Sequence, residues 1–451
     1  MEKARVAQTH TFIQKLLDEK NYKELKAYLS GLYPVDIAEV FDELDEDECI
    51  IIFRLLNKDQ AAEVFSYLNA QRQKEIVSSI HESLLHYILN DLYFDDKIDF
   101  LEEMPANFIK KLLASAPHEE RRLINQFLNY QDNSAGSLMT IEYVDLKKHI
   151  TAGQALERIK RTGVDKETIY TCYVLDEKRK LLGTVSLRKL VLANGHELID
   201  DIMQTEPVKV GTADDQELVA DLFKKYDLMA LPVVDGEDRL IGIITIDDIM
   251  DVIEQENTED FQKMAAMQPS DESYVETGVL TLARKRIVWL LILMVSATFT
   301  GEIITRYEAL LSSAVLLMAF IPMLMDSGGN AGSQSATLII RGIALGEIAL
   351  KDWPVVLWKE FRVSLLVGAA LATANFLRML LLTGTATGVM ITVSITLVLT
   401  IVAAKIVGSI LPIAAKALRL DPAIMAGPLI TTIVDALSLI IYFTIAGVLL
   451  F

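Results

Sequence analysis

The apolar positions of this chain follow three different patterns from its start to its end. From residue 15 to about residue 130 they recur at helical spacing, and the run Asp36–Phe41 is echoed 24 residues later by Gln60–Phe65 and more loosely by Asp96–Leu101. Repeats of this length predict short helices that stack in pairs into a small superhelical domain. Such domains usually provide interaction surfaces.

From about Leu138 the pattern becomes strand-like and repeats at a spacing of 59 residues, so that Leu182–Ser186 is matched by Ile241–Thr245. Each copy opens with an apolar residue before a methionine and places a helix between its strands. The duplicated β-α-β-β-α unit resembles a pair of CBS domains.

In CBS domains a hydroxyl followed three residues later by an aspartate commonly meets the ribose of a nucleotide. Thr245 and Asp248 have this spacing, whereas Ser186 is followed by Lys189 in the first copy. The resemblance therefore implies one nucleotide half-site at most. Arg188, in a predicted loop, is a candidate contact for the phosphates, and an ordinary surface charge is the alternative interpretation.

Five apolar stretches after residue 283 are long enough to cross a bilayer. They are about Ile287–Ile304, Leu310–Ile340, Val355–Leu382, Val389–Leu418 and Ala423–Leu450. We therefore predict five transmembrane helices in the last part of the chain.

The charge is divided between the two halves of the chain. The net charge is −19. Residues 284–451 carry 12 Lys/Arg and 8 Asp/Glu, so the first 283 residues hold −23. A purely soluble enzyme is excluded, and the acidic half lacks the basic face that nucleic acid requires. The two cysteines, Cys49 and Cys172, occur without a C-x-x-C motif, which excludes a disulfide framework and a thiolate metal site.

Basic residues indicate the orientation in the membrane. Nine of them flank the predicted spans on one side, and Arg306 and Arg378 lie on the other. The nine are Arg284, Lys285, Arg286, Arg341, Lys351, Lys359, Arg362, Lys416 and Arg419. The positive-inside rule places these residues and the N-terminal part in the cytoplasm, and an odd number of spans leaves the C-terminus outside. The polar first residues, without an apolar signal core, agree with this orientation.

A carboxylate within hydrocarbon is expensive and usually functional, and Asp435 falls near the middle of the fifth predicted span. Pro428 and Thr431 share its helix face, which is small and polar and would suit water or an ion. The alternative is a carboxylate that is neutralised by Lys405, the lone lysine of the fourth span.

A polar segment, Asp326–Thr337, falls within the second predicted span. Irregular polar backbone at this depth is tolerated only where it lines a cavity or is buried by protein, so we interpret the segment as an interruption of the span. Close helix packing through small residues is the alternative. That alternative does not explain Asp326, Asn330 and Gln334 together.

The ligand chemistry of the membrane half favours hydrated magnesium. A symmetric dimer would bring two copies of Asp435 to one axis. Magnesium is typically held by one or two carboxylates through its water shell, whereas calcium takes six to eight oxygens. No histidine follows His196, so the imidazole ligand expected for zinc, nickel or copper is missing from the spans.

Carboxylates are dense over Asp247–Asp260, and similar groups occur at residues 91–99 and 214–217. A solvated acidic face is the usual meaning of such runs. Together they also suggest surfaces that repel one another when bare and close when divalent cations bridge them.

This order of parts resembles the MgtE family of magnesium channels, and its most specific signatures are Gly328–Thr337 and Asp421–Asp435. The resemblance implies a multidomain α + α/β + membrane all-α fold. Its expected parts are an acidic helical superhelical N-domain (1–135), a tandem CBS pair (136–200 and 201–256), a linking or plug helix that begins within the end of the second CBS domain (257–283), and a five-helix pore domain (284–451).

The resemblance also implies the functional residues. Asp435 of each copy would line the pore of a homodimer, and a helix over about 249–280 would gate it. The acidic positions that match the regulatory magnesium sites of the family are Glu63, Asp95, Asp99, Asp215, Glu217, Asp227, Asp248, Asp251, Glu256, Glu259, Asp260 and Asp421. ATP is implied as a regulatory ligand of the CBS pair, with Arg188, Thr245 and Asp248 as its contacts.

We therefore expect a Mg²⁺-selective channel of the bacterial inner membrane that imports magnesium down its electrochemical gradient and closes when cytosolic magnesium is high. We do not expect an enzyme, since there is no Walker motif for ATP hydrolysis. Magnesium ions, membrane lipid and a second copy of the chain are the expected partners, and nucleic acid is not. The alternatives are a proton-coupled divalent cation carrier and a membrane-anchored CBS nucleotide sensor.

Overall fold

The computed structural model describes residues 2–270, 274, 277–313, 315–382 and 386–450. The chain divides into two units, residues 1–253 and residues 254–451, and each is described by itself. The first unit contains short helices followed by two small sheets with their helices. The second contains the long apolar helices.

The helices that precede the sheets are α1 (Glu2–Asp18), α2 (Tyr22–Leu29), α3 (Pro34–Phe41), α4 (Glu46–Leu55), α5 (Lys58–Ser66), α6 (Ala70–Ser79), α7 (Glu82–Asp91), α8 (Phe94–Glu102), α9 (Ala106–Ser115) and α10 (His118–Phe127). The two sheets contain β1 (Val144–Leu146), β2 (Thr171–Leu175), β3 (Leu181–Ser186), β4 (Gln204–Thr205), β5 (Val210–Gly211), β6 (Ala230–Val234) and β7 (Leu240–Thr245). Their helices are α11 (Ala152–Thr162), α12 (Leu187–Leu192), α13 (Ile199–Ile202), α14 (Gln216–Tyr226) and α15 (Ile246–Met264).

The remaining helices are α16 (Val279–Arg306), α17 (Glu308–Ser313), α18 (Ile321–Ala344), α19 (Trp353–Leu382), α20 (Thr387–Ala417) and α21 (Gly427–Leu449). Short 3₁₀ segments lie at Gly163–Asp165, Val315–Phe320, Leu350–Asp352 and Pro422–Met425.

The sequence repeat of the N-terminal helices is a packing repeat. The four apolar residues of the motif on α3 are buried, and so are the four equivalent residues on α5. These are Ile37, Ala38, Val40 and Phe41, matched by Ala61, Ala62, Val64 and Phe65. The ring of Phe65 contacts that of Phe100 edge to face at 5.2 Å, which joins the second copy to the third. The predicted helical N-domain is confirmed.

The two sheets confirm the predicted CBS pair. In each sheet an antiparallel hairpin, β2–β3 or β6–β7, has a short parallel strand at one edge. Gly183 on β3 and Gly242 on β7 are 59 residues apart, and a Cβ would lie 2.5 Å from the carbonyl oxygen of Gln204 or 2.6 Å from that of Thr140. Each sheet therefore accepts the segment that precedes the other copy, and glycine is required for the close approach.

The helix after the second CBS copy is shorter than predicted. It begins directly after β7 and ends at Met264, where Ala266 has a left-handed φ of 52° and the N–H of Met267 bonds to the carbonyl of Gln262. Pro269 then disfavours helical backbone at the residue before it. The prediction of one helix over 249–280 is therefore wrong after Met264. Residues 271–273, 275 and 276 of the linking segment lie outside the described residues.

In the described part of the chain, five helical segments are long and apolar enough to cross a membrane, which confirms the predicted number of spans. They are Val279–Arg306, Val315–Ala344, Leu350–Leu382, Thr387–Ala417 and Pro422–Leu449.

The predicted interruption of the second span is wrong, because α18 is continuous through the polar segment. Its small residues allow close helix packing: a Cβ on Gly408 of α20 would collide with the carbonyl of Gly332. Asp326, Asn330 and Gln334 lie four residues apart on the opposite, exposed side of α18. We call these three residues the polar stripe of α18.

Both cysteines are free thiols within the first unit. Cys49 is 2% exposed and Cys172 is 0% exposed. Burial raises the pKa of Cys49 to about 11 and that of Cys172 to about 12. Neither thiol is therefore suited to bind a metal as a thiolate at neutral pH.

Candidate cation sites

Three carboxylates from separate parts of the first unit meet at one point. Asp95 lies on α8, Glu142 precedes β1 and Glu167 precedes β2, and one ligand oxygen from each lies within 4.8 Å of the others. The backbone N–H of Glu167 bonds to the carbonyl of Glu142 at 2.9 Å, and Oε2 of Glu142 accepts the N–H of Phe94 at 3.0 Å. Carboxylate oxygens gathered in this way suit a hard divalent cation. We call this group the Asp95 cluster.

The cluster is not neutralised by the nearest lysine of its own helix. Lys97 on α8 is paired with Glu120 at 3.3 Å. Oε2 of Glu167 is buried and, within the described residues, has no hydrogen-bond partner. A buried carboxylate oxygen without a donor is costly, and a bound cation would compensate it.

Burial and mutual repulsion raise the pKa values of these acids. Burial and then the charge of Asp248 raise the pKa of Asp95 well above its ordinary value. Burial and then Asp247 raise the pKa of Glu167 to about 8, and burial and then Asp248 raise that of Asp96 to about 6. At neutral pH the cluster therefore holds protons that a divalent cation would displace.

The residues proposed for a nucleotide are near the same cluster. Oγ1 of Thr245 donates to Oδ2 of Asp248 at 2.7 Å, and burial raises the pKa of Asp248 to about 6 although this bond opposes the shift. Arg188 is exposed on α12, so its predicted loop position is wrong. The reason is a helix cap: Oγ of Ser186 accepts the N–H of Lys189 at 3.2 Å and begins α12 there.

Two further predicted positions lie around the Asp95 cluster. Asp99 follows Asp95 by about one turn of α8 and is exposed. Glu63 is exposed on α5 and adds to the rise in the pKa of Tyr93, which is due first to burial and then to Glu167 and Glu142. The structure therefore brings Glu63, Asp95, Asp99 and Asp248 into one region.

The three predicted positions around α14 do not form one site within a single chain. Asp215 caps the start of the helix by accepting the N–H of Glu217 at 2.9 Å, and Asp227 ends it with a left-handed φ of 50°. The helix has 11 residues, which separates its two ends by about 16 Å.

In the second unit, the end of α15 forms an ion-paired group. Lys263 is paired with Glu259 and, at 2.7 Å, with Oδ2 of Asp421. Burial alone would lower the pKa of Lys263, but the hydrogen bonds to Asp421 and Glu259 outweigh it and raise the pKa. Burial and then Asp421 raise the pKa of Asp260. The predicted residues Glu259, Asp260 and Asp421 thus lie together, whereas Asp251 and Glu256 lie earlier on α15.

Asp435 is half-buried on α21, and Asp326 of the polar stripe lies within electrostatic range of it. Its neighbour Thr431 donates from Oγ1 to the carbonyl of Pro428 at 2.9 Å, so this hydroxyl is satisfied within the helix. Two carboxylates of the membrane half are therefore close together, and both lie at incompletely buried positions.

Lys405 does not neutralise Asp435, so that alternative is wrong. Its Nζ lies 3.7 Å from Oε2 of Glu360 and donates to Oγ of Ser335 at 3.1 Å. The hydroxyl of Ser335 in turn donates to Oε2 of Glu360 at 2.6 Å. Sequence analysis did not predict a role for Glu360, which stands between the basic residues Lys359 and Arg362 at the start of the third span.

Comparisons with known proteins first define the class of protein. Residues 321–445 match a family described as a divalent cation transporter, residues 32–133 match the MgtE intracellular N domain, and residues 135–195 and 199–255 match the CBS domain. The chain is thus a multi-pass membrane transporter of divalent cations with a cytosolic N-terminal domain.

Full-length relatives define the family. The chain is 37% identical over 449 residues to the magnesium transporter MgtE of Thermus thermophilus, with 97% of this chain and 98% of that protein covered. It is 33% identical over 431 residues to the magnesium transporter MgtE of Bacillus subtilis, with coverages of 96% and 95%. The chain belongs to the MgtE family of magnesium transporters, which confirms the resemblance seen in the sequence.

A solved structure agrees with this assignment. The cytosolic domain of the Mg²⁺ channel MgtE, crystallised in complex with ATP, matches 54% of this chain and 99% of its own with a TM-score of 0.52 and 36% identity.

Proposed function

We propose that this transporter is a homodimeric, Mg²⁺-selective channel whose pore contains Asp435. The observation that carries the proposal is the state of this carboxylate. It is half-buried in the fifth span, a second carboxylate, Asp326, lies within electrostatic range, and the nearest candidate cation, Lys405, is paired with Glu360. A negative position of this kind within a membrane is the usual sign of an ion pathway.

The ligand types favour magnesium among divalent cations. Magnesium keeps most of its water shell and binds through one or two carboxylates, as two copies of Asp435 would provide. The polar stripe adds amide and carboxylate oxygens on α18, and the amide of Asn330 already donates to Oδ1 of Asp326 at 3.1 Å. Such oxygens can hold the water molecules of a hydrated ion.

The exposure of the polar stripe supports a dimer. Asp326, Asn330 and Gln334 are exposed on a helix long enough to cross the bilayer. Lipid offers these groups no hydrogen bonds, whereas a second copy of the chain would enclose them around a water-filled axis. With the N-terminal part in the cytosol, five crossings place the C-terminus outside a bacterial inner membrane.

The acidic cytosolic part supports control by magnesium itself. With −23 in the first 283 residues of each copy, its surfaces repel when no cation is bound. Magnesium bound at the Asp95 cluster, at the carboxylates around α14 and at those along α15 and Asp421 would favour one arrangement, which we propose is closed. ATP, which binds the cytosolic domain of a relative, would act at Thr245, Asp248 and Arg188.

The first experiment measures magnesium uptake into proteoliposomes at a fixed membrane potential, with and without a proton gradient. We expect uptake by the wild-type chain that is indifferent to the proton gradient, and a decrease of at least about tenfold in Asp435→Asn. Glu302→Gln is the matched control, because Glu302 is an exposed carboxylate on α16.

Each other result supports a different class of protein. Uptake that requires the proton gradient would replace the channel by a proton-coupled carrier. Equal uptake in Asp435→Asn would move the ion site elsewhere. No uptake by a verified, folded dimer would favour a membrane-anchored nucleotide sensor.

A second experiment tests the control by magnesium. Neutralising Asp248, Asp251, Glu259 and Asp260 together should leave currents that persist at millimolar internal magnesium. Currents that remain suppressed in this variant would contradict regulation through these carboxylates.

A further inference from the structure

The membrane half contains a buried charge pair that the proposed ion pathway does not use. Glu360 on α19 is 8% exposed, Lys405 on α20 is 5% exposed and Ser335 on α18 is 0% exposed. Ser335 links the pair, since it accepts from Nζ of Lys405 at 3.1 Å and donates to Oε2 of Glu360 at 2.6 Å. Three membrane helices are thus joined by one cluster, which we call the Glu360 cluster.

A buried ion pair is a poor source of stability, because the loss of hydration offsets most of the attraction between the charges. An apolar trio of similar volume would hold the helices together at least as well. The pair is therefore better explained by what it specifies, namely one relative position of α18, α19 and α20.

The Glu360 cluster holds the side of α18 that faces away from the polar stripe. Ser335 is about 180° from Asp326 around the helix at 100° per residue. Gly332 lies about one turn before Ser335 on that buried side and packs against Gly408 of α20. A rotation of α18 would break this contact and the hydrogen bonds of Ser335, and it would also turn the polar stripe away from its position.

We propose that Glu360, Lys405 and Ser335 are positioning residues that fix the rotation of α18 and so hold the polar stripe toward the ion pathway. This proposal rests on the proposed function, because it takes the stripe to line that pathway. The pair also adds no net charge beside the pathway while both partners are present.

Removing one charge at a time gives effects of opposite sign. Glu360→Gln leaves a buried ammonium, which repels a divalent cation, so we expect the half-saturating magnesium concentration for uptake to rise by about threefold or more. Lys405→Met leaves a buried carboxylate, and we expect that concentration to fall. The double variant Glu360→Gln/Lys405→Met is neutral again and should return to within about twofold of wild type.

The orientation of α18 is measured without any ion flux. A membrane-impermeant thiol reagent should label Asn330→Cys but not Ala331→Cys, since residue 330 is exposed and residue 331 is buried. In the Ser335→Ala background, which keeps both charges, we expect this difference in labelling to decrease at least threefold. Ser364→Ala and Ser409→Ala are the matched controls, because these buried hydroxyls donate only to carbonyls of their own helices.

The results separate this proposal from the proposed function. If wild-type protein shows no uptake, the channel is wrong, but the labelling still tests the orientation. The proposal is overturned if both single charge variants shift the half-saturating concentration in the same direction, or if labelling in Ser335→Ala equals that in the two serine controls. If Glu360→Gln does not fold, Lys405→Met, the double variant and the Ser335→Ala labelling decide the question.

Discussion

Lys263, in the last turn of α15, donates to Oδ2 of Asp421, which precedes the fifth span, at 2.7 Å. The same ammonium pairs with Glu259. A side chain of the protein thus provides positive charge between two carboxylates that sequence resemblance assigns to a regulatory magnesium ion. The lysine and the ion cannot hold the same oxygens at once.

We therefore predict that Lys263→Met increases the affinity of these carboxylates for magnesium. The expected result is closure at an internal magnesium concentration about threefold to tenfold lower, because two partly exposed charges lose their competing partner. The measurement is the channel current as internal magnesium is raised. Lys263→Arg keeps the charge and should close near the wild-type concentration. Closure of Lys263→Met at a higher concentration would show that the lysine assists the closed state.

Magnesium binding should become tighter as the pH rises from about 6 to about 8. The pKa of Glu167 is about 8 and those of Asp96 and Asp248 are about 6, so protons compete with the cation over this range. Without magnesium the sign is reversed for stability: raised pKa values stabilise the folded protein at low pH, and this contribution is lost as pH rises through these values.

Calorimetric titration in two buffers of different ionisation enthalpy measures the protons that magnesium releases. We expect Glu167→Gln to release fewer protons than wild type at pH 7. Glu177→Gln is the control, since the side chain of Glu177 is 93% exposed. Equal proton release in all three proteins would remove Glu167 from the site.

Asp326→Asn should weaken magnesium uptake without abolishing it. Asp326 acts on Asp435 through its charge, so its removal should raise the half-saturating magnesium concentration by about threefold to tenfold. Asn330→Ala, which removes only the amide that donates to Asp326, should have a smaller effect. The concentration dependence of uptake into proteoliposomes measures both. An unchanged concentration dependence in Asp326→Asn would show that the stripe does not face the pathway.

Gly427→Ala should impair closure. A Cβ at this position would lie 3.0 Å from the backbone carbonyl oxygen of Met264, so the end of α15 would have to move away from the start of α21. We expect a residual current at saturating internal magnesium that is several times that of wild type. Gly447→Ala, on the same helix, would place its Cβ at an ordinary 3.6 Å from Leu310 and should close normally. Full closure of Gly427→Ala would show that the contact with Met264 is not needed.

The repeats made most of the fold predictable. The 24-residue motif contains its own burial pattern, and the 59-residue repeat contains Gly183 and Gly242, whose missing side chains allow the two CBS copies to exchange edge segments. The end of α15 was harder to predict, because acidic helical sequence continues past Met264 until Pro269. A left-handed residue at Ala266, which is not a glycine, leaves little trace in sequence.

The sites were predictable only where acidic residues are dense in sequence. Asp95 stands in such a run, but Glu142 and Glu167 are isolated and reach it through the packing of separate loops. In the membrane, both Glu360 and Asp435 were possible partners for Lys405, and helical periodicity alone does not decide between them. The choice is made by which helices adjoin α20, and that is a property of the tertiary fold.

The burial of both native thiols has a practical consequence for testing the quaternary structure. At pH 7 to 8, Cys49 and Cys172 are shielded and overwhelmingly protonated, so alkylating and crosslinking reagents should ignore the native chain. A cysteine introduced along the exposed side of α18 would then be the single reactive point on each subunit. Spontaneous or reagent-bridged covalent pairs on a denaturing gel would report, position by position, which surfaces of two neighbouring copies meet across the symmetry axis.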